Sequence, residues 1–472
     1  MNNKMKKLLY ILFDNKVVIL FVLLCIGAII AADKPLTFVA AELFTRIGRN
    51  TFLVLSLLIP VLAGMGLNFG IVIGAIAAQI AVFWVVYWGV TGIEGFLLCL
   101  LISTPIAIFF GFLVGRLFNK MKGSEMIGGM VLGYFAEGLY LLFFLFIIGG
   151  IIPVSNPTLI INGGIGVKNT IDLKGNLKYS LDGLSINTIF LTVAAVLIAL
   201  TIISIIFKTI KKEKINLIKS IYPIVIGVSL VVLTFIPAMG DFLSKDRLVL
   251  LTAVELGVVA VVFFNIAKII INAVKYKEKQ RYIKPIVFII IAAGIYLLTY
   301  IPEIFTVLIT VKIPVMTYLC ILLLCFFNSW LISTRLGQNM RTVGQSRTVA
   351  NAAGINVDRT RIIAMILSTV LACWGQLICL QNIGTFSTYG AHTQVGQFAI
   401  AALLVGGASV HKANNKQAII GVILFHTLFI VAPQAGKELF NNAQIGEYFR
   451  VFVAYGVIAV SLAMHAWNRK KK

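Results

Sequence analysis

Residues 335–361, "RLGQNMRTVGQSRTVANAAGINVDRTR", set Arg, Asn, Gln and Gly side by side in a chain whose mean hydropathy is +1.01. Cations and amides, here with hydroxyls and a single acid (Asp358) but no His, Cys or paired carboxylates, do recognition chemistry: they bind acidic groups, lipid phosphates or backbone. Gly337, Gly344 and Gly354 punctuate the stretch, and the run "SRTVANAA" between the last two is regular enough for a short helix and too short to cross a bilayer. Such a helix at a membrane surface offers its Ala/Val face to a partner's groove and its arginines to acidic residues or lipid. A plain basic loop against the lipid is the alternative.

A second set of polar residues lies inside apolar runs. In "GMGLNFGIVIGAIAAQ" (64–79), Gly66, Gly70 and Gly74 permit close helix approach or a local break, and Asn68 and Gln79 are the hydrogen-bonding groups. Irregular backbone at membrane depth is tolerated where it lines a cavity. Glu137 falls near the centre of an apolar segment, where a lone charge costs about 2.5–3.5 kcal/mol on insertion scales, so it is expected to face the protein interior. "GTFSTYGAHTQVGQ" (384–397) carries Ser387, Tyr389, His392, Gln394 and Gln397, with His392 reading as a solvated loop histidine. Together these groups suit a neutral, polyhydroxylated solute better than an ion.

Catalysis has no footing here. There is no HExxH, no paired carboxylates at catalytic spacing, and all six cysteines sit in apolar segments without the Cys/His spacing of metal sites. No catalytic or metal-ligating residue is therefore assigned. "GGIGVKNT" in the polar link 153–185 resembles a phosphate loop only superficially, because G-x-x-x-x-G-K-[ST] is absent.

The elements that must hold these groups are membrane helices. With 60% hydrophobic and 12% charged residues, the chain reads as an all-α polytopic bundle, with about fourteen apolar windows near 17–31, 51–66, 67–90, 93–118, 125–152, 186–210, 221–238, 249–274, 285–305, 313–335, 362–384, 396–410, 417–432 and 449–467. The first window reads as a retained helix rather than a cleaved signal. A net charge of +23 points to topology rather than nucleic acid. Alternating the windows puts most of the 40 Lys/Arg residues on the side of both termini, the cytoplasmic side by the positive-inside rule. Two basic links, Lys208 to Lys219 and Lys275 to Lys284, fall on that side with 336–361.

The stretch "TRLGQNMRTVGQSRTVANAAGINVDRTRIIAMILSTVLACWGQLI" resembles the cytoplasmic coupling segment of permeases in ABC importers for ribose and other simple sugars, nucleosides and branched-chain amino acids. Thr334, Arg335 and Gly337 match the opening turn, Arg341 and Gly344 the middle, and Ala352, Ala353, Gly354, Ile355, Asn356, Val357 and Arg359 the end. Ser346 and Arg347 depart from that pattern. "GMGLNFGIVIGAIAAQ", "MIGGMVLGYFAEGLYLL" and "FAIAALLVGGASV" resemble further family motifs, in family order.

The resemblance implies a core of about ten helices, split here into 1–185 and 306–472 by an inserted four-helix block at 186–305. It implies ATPase coupling through Arg335, Gly337, Arg341, Gly344, Ala352, Ala353, Gly354, Ile355 and Arg359, and a substrate path past Gly66, Asn68, Gly70, Gly74, Gln79, Glu137, Gln394 and Gln397. The expected partners are a cytoplasmic ABC ATPase that binds ATP and Mg, an extracytoplasmic solute-binding protein, a second permease copy or a related permease, and the bilayer. No cofactor is expected on this chain, no nucleic acid is expected as a partner, and the expected location is a bacterial cytoplasmic membrane. A nucleoside or simple sugar is the expected solute. Branched-chain amino acids, or a stand-alone secondary transporter, are the alternatives.

Overall fold

The computed structural model describes residues 16–154, 156–161, 166–210, 217–275 and 282–470. Helix α1 (Lys16–Ala32), α2 (Leu36–Ser56) and the short α3 (Leu58–Leu62) lead into an unwound stretch, followed by α4 (Ile71–Tyr87), α5 (Gly92–Lys120) and α6 (Glu125–Leu142). A π-helical turn, Phe143–Ile151, extends α6 and breaks at Ile148 and Gly149. Next come β1 (Thr170–Asp172), α7 (Ile186–Ile210), α8 (Leu217–Thr234), β2 (Arg247–Val249), α9 (Leu250–Lys275), α10 (Ile283–Leu298), α11 (Pro302–Thr310), β3 (Lys312–Pro314) and α12 (Val315–Ser333). The chain closes with α13 (Arg335–Gln345), α14 (Arg347–Ala352), α15 (Val357–Ile383), β4 (Thr385–Ser387), α16 (Ala391–Val405), α17 (Asn415–Phe440) and α18 (Ala443–Lys470).

Eight of the described helices are long and apolar enough to cross a membrane, or nine if α10 and α11, bent by 89°, form one span. The protein is thus a multi-pass helical membrane protein, and among the described residues its strands form two two-stranded ribbons, β1–β4 and β2–β3, both antiparallel. The fourteen windows do not all become full spans. Val17–Ala32, Ile71–Tyr87, Pro223–Thr234 and Val395–Val405 are shorter apolar helices. Residues 36–50, outside the apolar windows, are helical, and the span runs Leu36–Leu62, so the 51–66 window is its second half and unwinds beyond Leu62. Its charges are satisfied locally, because Glu42 pairs with Arg46 at 3.0 Å and Arg49 Nε donates to Asn382 Oδ1 at 3.1 Å. Within the basic links, Lys211, Lys212, Lys214, Lys277, Lys279 and Arg281 lie outside the described residues.

The chain packs as two compact units, Met1–Leu181 with Leu319–Lys472, and Asp182–Tyr318. In the first, α15 is the buried centre, enclosed by α2, α4 and α5. Lipid is as apolar as leucine, so helices here gain little from hydrophobicity alone and rely on close backbone approach. A Cβ at Gly111 would lie 2.7 Å from Ile366 Cα, and one at Gly115 would lie 2.9 Å from Ile362 Cα, so α5 and α15 cross on a G-x-x-x-G ridge. Polar ties add specificity: Trp374 Nε1 donates to Thr104 Oγ1 at 3.0 Å, and Ser368 Oγ to the Ser56 carbonyl at 3.0 Å. Helix α17 packs against α1, α2 and α18, and Asn415 at its start donates to the Cys325 carbonyl at 2.8 Å.

In the second unit α7 packs on α8 and α9 on α10, and buried Asp182 accepts a hydrogen bond from Thr317 at the points where the chain enters and leaves.

The α5–α15 crossing yields a direct expectation. Gly115→Leu forces the two backbones apart, an overpacking cost of about 1–3 kcal/mol. Thermal unfolding of the detergent-purified protein should shift to lower temperature, whereas Leu101→Ala, at an exposed site on the same helix, should leave it unchanged.

Candidate functional site: a capped surface helix seated on a broken helix

Three side chains partition residues 334–360 into helices. Thr334 Oγ1 accepts from Gly337 N at 3.2 Å, Ser346 Oγ from Val349 N at 3.3 Å, and Asn356 Oδ1 from Arg359 N at 2.9 Å, so each caps the helix that follows. Helix α14 ends by the complementary device. Gly354 takes a left-handed φ of +74°, its N–H bonds to the Asn351 carbonyl, and Ile355 N–H reaches back to Ala350 O at 3.0 Å. Val343, Ala350 and Val357 form a small core beneath, against which Ile355 packs. With Ala350 turned inward, Val349, Ala352 and Ala353 remain on the exposed side. Arg335, Arg341 and Arg359 are also exposed, while Gly337 is buried.

This segment rests directly on the break in the first long helix. Backbone after α3 passes through left-handed Gly64 and Gly66 before α4 begins. A Cβ on Gly64 would lie 2.6 Å from Gly344 Cα, and one on Gly344 would strike the Leu62 carbonyl, so the two strands of chain touch with no side chain between them.

Beside that contact, Glu125 at the start of α6 takes two arginines on one oxygen. Arg361 Nη2 lies 2.5 Å from Glu125 Oε1, and Arg347 Nη2 bonds to the same atom. Arg361 has no exposed surface and Glu125 almost none. Glu125 Oε2 also accepts from Gly123 N at 2.9 Å, and Asn119 Nδ2 donates to the Asp358 carbonyl at 2.9 Å. Ser346, Arg347, Glu125 and Arg361 are thus structural keys that the sequence reading does not assign. One signal was available: Glu125 is the only acidic residue between Glu94 and Glu137.

The expected path residues divide into two groups. Phe69 and Val72, flanking Asn68 and Gly70, border an open hollow of about 150 Å³ together with Glu137, Gly396, Gln397 and Tyr455. Tyr455 Oη donates to Gln397 Oε1 at 2.7 Å. Glu137 is half-buried at this hollow rather than enclosed in the interior. Asn68 is buried with neither side-chain polar atom partnered among the described residues. Gly74 packs on the Thr369 carbonyl and Gln79 is fully buried and unpartnered, and neither residue lines the hollow. The side chain of Gln394 lies outside the described residues.

At the opposite end, "GTFSTYGAHTQVGQ" is not an open mouth. Its first residues form β4 on β1, Thr388 N donates to the Asn169 carbonyl at 2.8 Å, and Tyr389 Oη donates to the Val167 carbonyl. His392 is consequently fully buried against Tyr140, ring centroids 4.7 Å apart, and is not solvated. Neither imidazole nitrogen has a partner among the described residues.

Residues 184–462, more than half of the chain, match the family described as branched-chain amino acid transport system / permease component. The chain is similar to the xylose transport system permease protein XylH of Haemophilus influenzae, 26% identical over 162 residues, 34% of this chain and 40% of that protein. It is also similar to the probable ABC transporter permease protein y4mJ of Sinorhizobium fredii, 27% identical over 34% of this chain and 46% of the relative. The third is the probable ABC transporter permease protein YphD of Escherichia coli, 30% identical over 32% of this chain and 43% of the relative. Each match spans less than half of the relative's length. No solved structure matches the chain.

The shared carboxylate sets an order of effects. Glu125→Ala leaves a fully buried guanidinium without its acid, a loss of about 3–5 kcal/mol. Arg347→Ala removes a partner that is nearly one-third exposed and leaves the Glu125–Arg361 pair intact, so it should cost about 1 kcal/mol or less. Thermal unfolding of the two purified variants should show that ranking.

Proposed function

The chain belongs to the branched-chain amino acid transport system permease family, and from that premise we propose that it is the membrane-spanning subunit of an ATP-driven importer. The observation that carries this reading is the capped helix α14 with its Val349/Ala352/Ala353 face exposed, preceded directly by α13, whose Gly344 is in backbone contact with the broken helix. That arrangement suits a knob that a cytoplasmic ATPase grips. ATP and Mg belong to that ATPase, and this chain supplies the dock and the path. The end carrying 62–66, 123–126 and 335–357 is then cytoplasmic, with both termini on the same side. The end carrying the β1–β4 ribbon meets a solute-binding protein, in a bacterial cytoplasmic membrane.

Glu137, Gln397 and Tyr455 line a hollow that is open in one copy of the chain. A second permease, identical or related, completes the path along it, with the unpartnered Asn68 amide on the adjoining stretch. Amides and a phenol outnumber charges there, which favours a neutral nucleoside or simple sugar. One relative is named as a xylose permease. Glu137 favours a second reading, a branched-chain amino acid whose ammonium group meets the carboxylate. Residues 186–305 are, on this reading, a four-helix block inserted into the permease core.

Two variants separate dock from path. Ala353→Asp places a charge on the exposed α14 face and should abolish co-purification of the ATPase and uptake together. Asn68→Leu should keep the ATPase bound and reduce uptake by about tenfold, the weight of one lost hydrogen-bonding group at ~1.4 kcal/mol. Uptake of labelled nucleoside, pentose and leucine into cells reads out both the effect and the solute. Normal ATPase binding in Ala353→Asp would return α14 to a lipid-facing role.

A further inference from the structure

A second concavity opens at the same end of the first unit as α14. It encloses about 520 Å³, with Arg341 and Gly344 of α13 on one wall, His411, Lys412 and Asn414 on the other, and Leu62 in the floor. We propose that this basic groove is a second docking arm, which takes an acidic segment of the partner ATPase beside the α14 knob. The proposal rests on the importer reading and adds to it the loop between α16 and α17.

Charge is the first argument. Arg341 and Lys412 are exposed and face the groove, and Arg335, Arg359 and Lys416 are exposed nearby. Glu125 is already shared by two arginines and exposed Asp358 lies beside Arg359, which leaves Arg335, Arg341, Lys412 and Lys416 in excess over the acids. The groove wall also contains the start of α17, a 26-residue helix whose Asn414 cap accepts from Gln417 N at 2.9 Å. The positive end of that helix dipole adds to the attraction for an anionic side chain. Rigidity is the second argument. Ser409 N donates to the Lys412 carbonyl at 2.9 Å and Lys412 N to Ser409 Oγ at 3.1 Å, so the loop is a closed turn. Asn415 then fastens it to α12 through Ser329 Oγ at 3.1 Å and the Cys325 carbonyl. A preformed wall costs little ordering entropy when a partner arrives.

Position is the third argument, and it selects a protein occupant over a lipid headgroup. An acidic segment in this groove touches α13, the end of the broken helix at Leu62 and the start of α17 at once. Gln345, the last residue of α13, lines the groove and α14 begins two residues later at Arg347, so a protein partner that docks on α14 has the groove beside it, whereas a lipid headgroup has no use for the α14 face.

The test is Arg341→Glu with Lys412→Glu in the full transporter co-expressed with its ATPase. ATPase co-purification should fall about tenfold or more, and in the wild type it should weaken as salt rises through the range where exposed charges are screened. The milder Arg341→Gln with Lys412→Gln should give an intermediate loss. Size-exclusion profiles and thermal unfolding of the permease should match wild type in both, since every altered side chain is exposed. Val349→Asp on α14 is the control for the importer reading. If it releases the ATPase while the charge reversal does not, the groove proposal falls and the importer reading stands; if neither releases it, both fall. Unchanged co-purification, with hydrolysis in nanodiscs losing its dependence on anionic lipid, would assign the groove to lipid and overturn the proposal.

Discussion

A guanidinium does not lose its charge at any pH a protein meets, so Arg361, with no exposed surface, needs an acid wherever it is placed. Glu125 is that acid, and the same oxygen also holds Arg347. One carboxylate therefore ties the first turn of α6, the surface helix α14 and the first turns of α15. At the neighbouring contact Gly344 meets Leu62 and Gly64 backbone to backbone. Close-packed backbone has no soft side chain to absorb a displacement. Under the proposed docking, a displacement of α14 would pass through Gly344 of α13 to the break between α3 and α4, with Glu125 bracing the joint.

The membrane explains why the rest of the unit is built as it is. With lipid offering no hydrophobic penalty for separation, α15 is held by glycine ridges and by single hydrogen bonds from Trp374 and Ser368. Those contacts fix the packing of the unit's centre. Among the described residues, buried polarity without a partner is found inside that centre, at Gln376, and outside it, at Asn68 in the unwound stretch and His392 under the β1–β4 ribbon. Such groups are costly to bury.

Legibility in the sequence followed local chemistry. Ser346, Asn356 and Gly354 are cap residues, so α14 and its limits could be read from residue type alone. The all-helical membrane class followed from composition. Long-range relations were not readable: nothing local says that Glu125 meets residues 222 and 236 positions later in the chain. Residues 36–50 fall outside every apolar window because Glu42, Arg46 and Arg49 are charged, yet Glu42 and Arg46 pair one turn apart and Arg49 donates to Asn382. His392 looked solvated because its neighbours are polar, and a ribbon formed with residues more than two hundred positions earlier buried it. The site was thus half legible. The short helix α14 could be read, but the Glu125 hub beside it and the hollow shared by α4, α6, α16 and α18 required the fold.

The direct measurement is the number of solute molecules moved per ATP hydrolysed by the Glu125→Gln transporter in proteoliposomes. That substitution keeps the shape and a hydrogen-bonding amide but removes the charge that binds both arginines and lowers the unfolding temperature, so the ratio is measured on folded, monodisperse transporter below that temperature. If the hub transmits the stroke, hydrolysis and ATPase association persist while the transport ratio falls by about tenfold, equivalent to ~1.4 kcal/mol of lost coupling. An unchanged ratio would show that α14 moves the broken helix without Glu125, and the account of the hub would be wrong.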